Sequence, residues 1–160
     1  MVEKEESMKT AEAIIAEKNS EVVAVSKDQT LFEAIQLMNE KKIGAIRVND
    51  GDDLVGIWTE RDYLRNSGDP EFNPQKTTVG EYMSSPLHFA PHDANLTQLE
   101  EMFVGLYLRH IPVQKDGQFI GMVSIGDVLR ASLLDKDRQI KQLNSLASWQ
   151  YYENWGWDRK

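Results

Sequence analysis

An α+β fold built from two β-α-β-β-α repeats is what this chain predicts, and three observations carry that reading. Gly56-Ile57-Trp58-Thr59-Glu60-Arg61-Asp62 recurs as Gly121-Met122-Val123-Ser124-Ile125-Gly126-Asp127, so Gly-x-x-(Thr/Ser)-x-x-Asp stands at positions 56 and 121, 65 residues apart. The same shift aligns Ser20 with Ser85, Asp28 with Asp93, Leu31 with Leu96, Ile46 with Ile111, Val48 with Val113, Leu64 with Leu129 and Arg65 with Arg130 without a gap. Two helix starts also repeat: Thr30 with Glu33, and Asn95 with Gln98, have the spacing of a capping box. Each copy alone is too small to be comfortable, whereas 160 residues at 41% hydrophobic can bury a sizeable core, so the copies are expected to share one.

In copy one the elements read as a strand at Val22 to Val25, a helix from Thr30 to Glu40, strands at Ala45 to Val48 and Leu54 to Trp58, and a closing helix from Thr59 to about Asn66. Leu31, Ala34, Ile35 and Met38, with their counterparts Leu96, Leu99, Met102 and Phe103, form one apolar stripe and are core positions. Asn49 to Asp53 and Lys115-Asp116-Gly117 join short apolar strands as hairpin turns. The acidic run in the first of these lacks the closing Glu and flanking helices of a calcium loop. The expected organisation is repeat one with an amino-terminal amphipathic helix over residues 8–66, a surface linker over 67–76 marked by Gly68, Pro70 and Pro74, repeat two over 77–134, and a helical tail over 135–160. Before repeat two, Val79 to Met83 is the counterpart of the amino-terminal helix. In the tail, Ile140, Leu143 and Ala147 have helical spacing, and Trp149, Tyr151, Tyr152, Trp155 and Trp157 follow. Such an aromatic display should be covered, either by the chain's own module or homodimer or by a partner protein.

Eighteen basic residues stand against 26 acidic ones, a net charge of −8, which opposes nonspecific binding to nucleic acid or anionic lipid while leaving room for a small anion in a local basic pocket. The chain has no cysteine, so disulfides, thiolate nucleophiles and the usual structural zinc sites are excluded. No stretch approaches the ~20 apolar residues of a membrane-spanning helix, and a cytoplasmic location is expected. His88, His92 and His110 are scattered, and Ser84 and Ser85 stand before Pro86 without a nucleophile elbow, so no catalytic constellation, metal site or catalytic cofactor is legible.

The repeated heptapeptide reads in two ways. As local structure, (Thr/Ser)-x-x-Asp at a helix start is a capping box. It leaves unexplained the glycine three residues before the hydroxyl, within a strand that glycine weakens unless something approaches closely. A hydroxyl and backbone N–H groups beside that gap would suit phosphate, and the neighbouring carboxylate would suit the vicinal hydroxyls of a ribose. Together with Leu108-Arg109-His110-Ile111-Pro112-Val113 before a glycine turn, and with the order of elements, the repeat resembles a tandem pair of cystathionine-β-synthase (CBS) domains over roughly residues 10 to 134. The resemblance implies two copies packed through their sheets as a pseudo-twofold module, modules paired as a homodimer, and clefts that bind AMP, ADP, ATP or S-adenosylmethionine as a regulatory ligand. Position by position, it implies Thr59 and Asp62 in one cleft and Ser124 and Asp127 in the other, with Val23 and His88 near the purine edges. Arg61 in one motif, and Arg109 and His110 beside the other copy's strand, are the motif-adjacent cations, and an Arg can grip phosphate in bidentate fashion. The expected function is thus a regulatory sensor of an adenosine compound that signals to a partner protein. The alternative is a ligand-free interaction module working through its dimer surface and aromatic tail.

Overall fold

The structure, a computed structural model, describes residues 9–18 and 22–154, with the side chains of the last helix described as far as Leu146. Met8 and the aromatic side chains of the tail lie outside the described residues. The elements run α1 (Ala11–Lys18), β1 (Ala24–Ser26), α2 (Leu31–Lys41), β2 (Ala45–Asp50), β3 (Asp53–Thr59), α3 (Glu60–Asn66), α4 (Val79–Tyr82), β4 (Ala90–Pro91), α5 (Leu96–Leu106), β5 (His110–Lys115), β6 (Gln118–Ser124) and α6 (Ile125–Asn154). Each repeat forms its own three-stranded mixed sheet, β1-β2-β3 and β4-β5-β6, with the first strand parallel to the second and the hairpin antiparallel.

The repeat extends to backbone detail. Both expected capping boxes form, at Thr30 with Glu33 and at Asn95 with Gln98. Both helices end in a left-handed residue, Lys42 (φ 54°) and Tyr107 (φ 57°), and both hairpins shift register at one place, Val48/Asn49 and Val113/Gln114. One difference has a covalent cause. Arg47 N donates to Val23 O at 3.2 Å, but its counterpart Pro112 has no N–H. Strand β4 is accordingly shorter than β1, and the stretch from Ser85 to Phe89 is left outside the sheet.

The expected single shared core is not what forms. Two separate clusters bury the apolar side chains: Val25, Leu31, Ala34, Met38, Ile46, Val48, Trp58 and Val79 in one, and Ala11, Ile14, Leu96, Leu99, Phe103, Ile111, Val113, Val123 and Val128 among those in the other. The short helices are exchanged. Helix α1 precedes repeat one in the chain yet packs on repeat two, its Ala11 N donating to Ala94 O at 2.8 Å. Helix α4 precedes repeat two yet packs on repeat one, with Val79 N donating to Gln29 O at 2.9 Å. Periodicity specified that both helices bury a face; it could not specify against which copy.

This exchange also accounts for the motif glycines. A Cβ on Gly56 would overlap Met83 Sδ and lie 2.7 Å from its Cγ, and one on Gly121 would lie 2.8 Å from Ile15 Cγ2. The space that the sequence suggested was left for a ligand is filled in both copies by a side chain of the exchanged segment, Met83 just after α4 and Ile15 within α1. The linker departs from expectation as well. Phe72 packs against the first core, between Tyr63 (ring centroids 5.7 Å apart) and Tyr82 (5.4 Å), so residues 67–76 are fastened to repeat one and are not simply a surface strap. Finally, α6 continues without a break through residues 134 and 135, whereas its counterpart α3 stops before Ser67, Gly68 and Pro70. Nothing in α6 from Val128 onward has the turn chemistry of that stop.

Candidate functional site

At the head of α3, Thr59 Oγ1 donates to Asp62 Oδ2 at 2.7 Å, and Asp62 N donates back to Thr59 Oγ1 at 3.2 Å. Ser124 and Asp127 repeat the box at the head of α6, with Ser124 N donating to Asp127 Oδ2 at 2.8 Å. The capping reading is therefore correct in both copies. It leaves the two carboxylates in different company. Arg65 lies 3.6 Å from Asp62 Oδ1, the oxygen that the cap does not use. Asp127 Oδ2 is held by Lys18 at 2.9 Å, from the end of the exchanged helix α1.

Two clefts lie where the copies meet. The first, about 350 Å³, brings together Thr59, Arg61, Asp62, His88, Arg109 and His110, with the Ser84–Leu87 stretch and Arg65 on its walls. The second, about 310 Å³, holds Val23, Ser124 and His110 with Lys18 and Lys42. Asp127 opens instead onto an adjoining groove beside Lys18 and Arg130. Six of the nine residues proposed from the sequence thus converge on one cleft.

The sequence placed Arg61 and Arg109 on opposite sides of the asymmetry, one cation for each cleft. In the fold both face the Thr59 cleft, because β5 of repeat two forms the far wall of the site built on α3 of repeat one. Arg61 donates from Nη1 to Tyr107 O at 2.7 Å across that junction. Arg109 pairs with Glu60 at 3.8 Å, and not with Glu100 or Glu101; Glu100 accepts from Ser132. The Arg109–Glu60 pair is long and more than half exposed, so it holds Arg109 only weakly and an arriving anion can replace it. Arg65 was visible as a repeat position paired with Arg130 but not as a site residue. Lys18 carried no signal at all, since it reaches the site only through the helix exchange.

His110 forms part of both clefts. Burial pushes its imidazole below the ordinary histidine range, with the Lys18 ammonium adding to the effect and the Glu60 and Asp127 carboxylates opposing it. It is therefore a neutral hydrogen-bonding group at pH 7 and not the cation that the sequence suggested. For Asp127, burial acts to raise the carboxyl, yet the hydrogen bonds from Lys18 and Ser124 together outweigh it and hold the group below the usual range. His92, far from both clefts, pairs through Nδ1 with Glu12 of α1 at 3.1 Å. Among the described residues no group of three or more His, Asp or Glu side chains could hold a metal ion, and no helix is long and apolar enough to cross a membrane.

Comparison with known proteins agrees with this architecture. The CBS domain family model matches residues 6–69 and 79–134. The mitochondrial CBS domain-containing protein CBSX3 of Arabidopsis thaliana is 34% identical over 123 residues, 74% of this chain, which spans 60% of that relative's length. Among solved structures, a CBS domain designated NE2398 superposes with a TM-score of 0.74 at 34% identity, covering 79% of this chain and 99% of that one. The CBS-domain containing protein ATU1752 of Agrobacterium tumefaciens gives 0.72 at 31% identity, covering 77% and 98%.

Proposed function

Because the chain belongs to the CBS domain family, whose members are generally regulatory, ligand-sensing modules, we propose that its Thr59 cleft binds a phosphorylated adenosine compound and that occupancy is signalled to a partner protein. The observation that carries this reading is the convergence of Arg61, Arg65 and Arg109 from two repeats on a single concave site in a chain of net charge −8. Arginines gathered against the overall charge of the molecule suit an anion, and their planar forks suit phosphate oxygens. Asp62 Oδ1, outside the cap and facing the largely exposed Arg65 at 3.6 Å, suits ribose hydroxyls, and the stretch ending at His88 offers backbone groups to a base edge.

This electrostatic balance favours AMP, ADP or ATP over S-adenosylmethionine, whose sulfonium adds positive charge to a site already rich in it. The second cleft has only lysines, and Asp127 opens onto the adjoining groove rather than into it. We assign it the weaker affinity. A ligand can signal only by favouring one arrangement of the module over another, and a site whose walls come from both repeats is sensitive to how they sit together.

The test is calorimetry and thermal shift with AMP, ADP, ATP and S-adenosylmethionine on wild type, Asp62→Ala, Arg109→Ala and Asp127→Ala. Phosphorylated ligands should bind wild type, with Arg109→Ala and Asp62→Ala weakening them at least about tenfold, the scale of one lost charged hydrogen bond. Asp127→Ala should leave the tighter site intact. If no adenosine compound shifts the melting temperature at millimolar concentration, the reading fails and the module acts through its surfaces alone.

A further inference from the structure

Helix α6 leaves the globular module before it ends. Val128, Ala131 and Ser132 are buried against repeat two, but every residue from Lys136 to Leu146 is exposed. A helical stretch of this length has little stability in water without a partner. Along it runs an apolar seam: Leu129, Leu133, Ile140 and Leu143, each more than half exposed, fall with Lys136 on alternating intervals of four and three residues. That is an a/d heptad pattern with Leu133 and Ile140 at a, and Leu129, Lys136 and Leu143 at d. The spacing runs on to Ala147 in the sequence. The seam points roughly a quarter turn away from the buried face, since Leu129 and Leu133 are offset from Val128, Ala131 and Ser132 by the 3.6-residue period. The helix therefore serves its own core with one face and presents a second, strictly periodic one.

We propose that this seam pairs with the same seam of a second copy, antiparallel, as a short two-stranded coiled coil. A 3.5-residue apolar repeat is the specification for another helix of the same kind rather than for a flat surface. Charge sets the direction. In a parallel pair, Lys136 would meet Lys136 of the partner subunit at a core position. Reversing one helix places Leu133 opposite Leu143 of the partner subunit and Lys136 opposite Ile140 of the partner subunit, which lets the ammonium reach Asp137 of the partner subunit. Asp135, Arg138 and Lys141 fall at the outer c, f and b positions, so Lys136 is the charge that sets the direction. The Lys141–Asp137 contact within one helix, 2.8 Å but largely exposed, is weak enough to be rearranged.

The chain has no cysteine, which makes directed cross-linking clean. Full-length Leu133→Cys, Leu143→Cys and the double variant are oxidised and run on non-reducing gels. All substitutions lie at exposed positions, and circular dichroism checks the fold. Positions 133 and 143 of one helix are about 15 Å apart, too far for an internal disulfide. The double variant should form cross-linked dimers while each single variant stays uncross-linked. Cross-linking of Leu133→Cys alone would overturn the antiparallel pairing in favour of a parallel one. No cross-linking in any variant would overturn the self-pairing altogether and leave the seam to a helix of another protein.

Discussion

The substitution Gly56→Ala separates the two explanations of the repeated motif. A methyl group at residue 56 would collide with the Met83 thioether and would lie 3.0 Å from Met83 Cβ. Rotation of the thioether can relieve the Sδ and Cγ overlap but not the Cβ contact, because Met83 N is fixed to Val79 O at 2.8 Å and Ser84 N to Ile57 O at 2.8 Å. Overpacking of a fitted contact costs about 1–3 kcal/mol, which for a chain of this size lowers the melting temperature by roughly 3–10 °C. Met83→Ala alone, removing a half-buried side chain, should cost about 1–2 kcal/mol. The double variant should be little worse than Met83→Ala, since the new methyl occupies space that the thioether vacates, giving a favourable coupling of about 1–2 kcal/mol in a double-mutant cycle. Urea unfolding followed by far-ultraviolet circular dichroism measures all four corners. If Gly56→Ala costs less than about 0.5 kcal/mol, or if the two costs simply add, the wedge account of the glycine is wrong. A variant that keeps its stability but loses a nucleotide-induced thermal shift would show that the glycine makes room for ligand after all.

Two further expectations concern pH. His110 has a folded-state pKa below its unfolded value of about 6.5. The unfolded chain therefore binds the proton more readily, and stability should fall as pH descends below about 6.5 until the folded-state value is passed. His110→Gln should flatten that slope in urea titrations between about pH 5 and 7.5, and an unchanged slope would refute the role of burial. Asp127, whose pKa is likewise depressed, acts in the same direction but in a lower window: its contribution is complete above the unfolded value of about 3.9 and is lost as pH falls toward the folded one. Lys18→Met should shrink that acid-side loss and cost no more than about 1 kcal/mol at neutral pH, as partly exposed pairs do. A melt that is identical to wild type from about pH 3 to 7 would show that the Lys18 contact contributes nothing.

What the sequence made legible was whatever is encoded within one repeat. Helix starts at Thr30 and Asn95, the core stripes and the hairpins are specified by residues a few positions apart, and they stand where spacing put them. The association between repeats was opaque, because an apolar face states that it is buried and not what covers it. Thus α1 and α4 were recognised as elements but assigned to the wrong neighbours, and Lys18 at the end of α1 could not be connected with Asp127, more than a hundred residues away. Arg109 was singled out for its chemistry, yet its cleft followed from the packing of β5 against α3. His110 was legible as a residue type, while its neutrality depends on burial that no local pattern shows. The seam on α6 was half visible as Ile140 and Leu143; ending the repeat at 134 hid its continuity with Leu129 and Leu133.

The crossing of α1 and α4 works like a handclasp. Each repeat carries a finger that completes its neighbour and a slot that its neighbour must fill, Met83 in the slot of Gly56 and Ile15 in that of Gly121. Severing the chain within residues 67–76 would yield one fragment retaining α1 without its slot and another retaining α4 without its own, so neither half inherits a complete interior. A repeat cut free by itself would therefore expose an empty slot beside its motif glycine, and the two copies depend on each other for a filled interior.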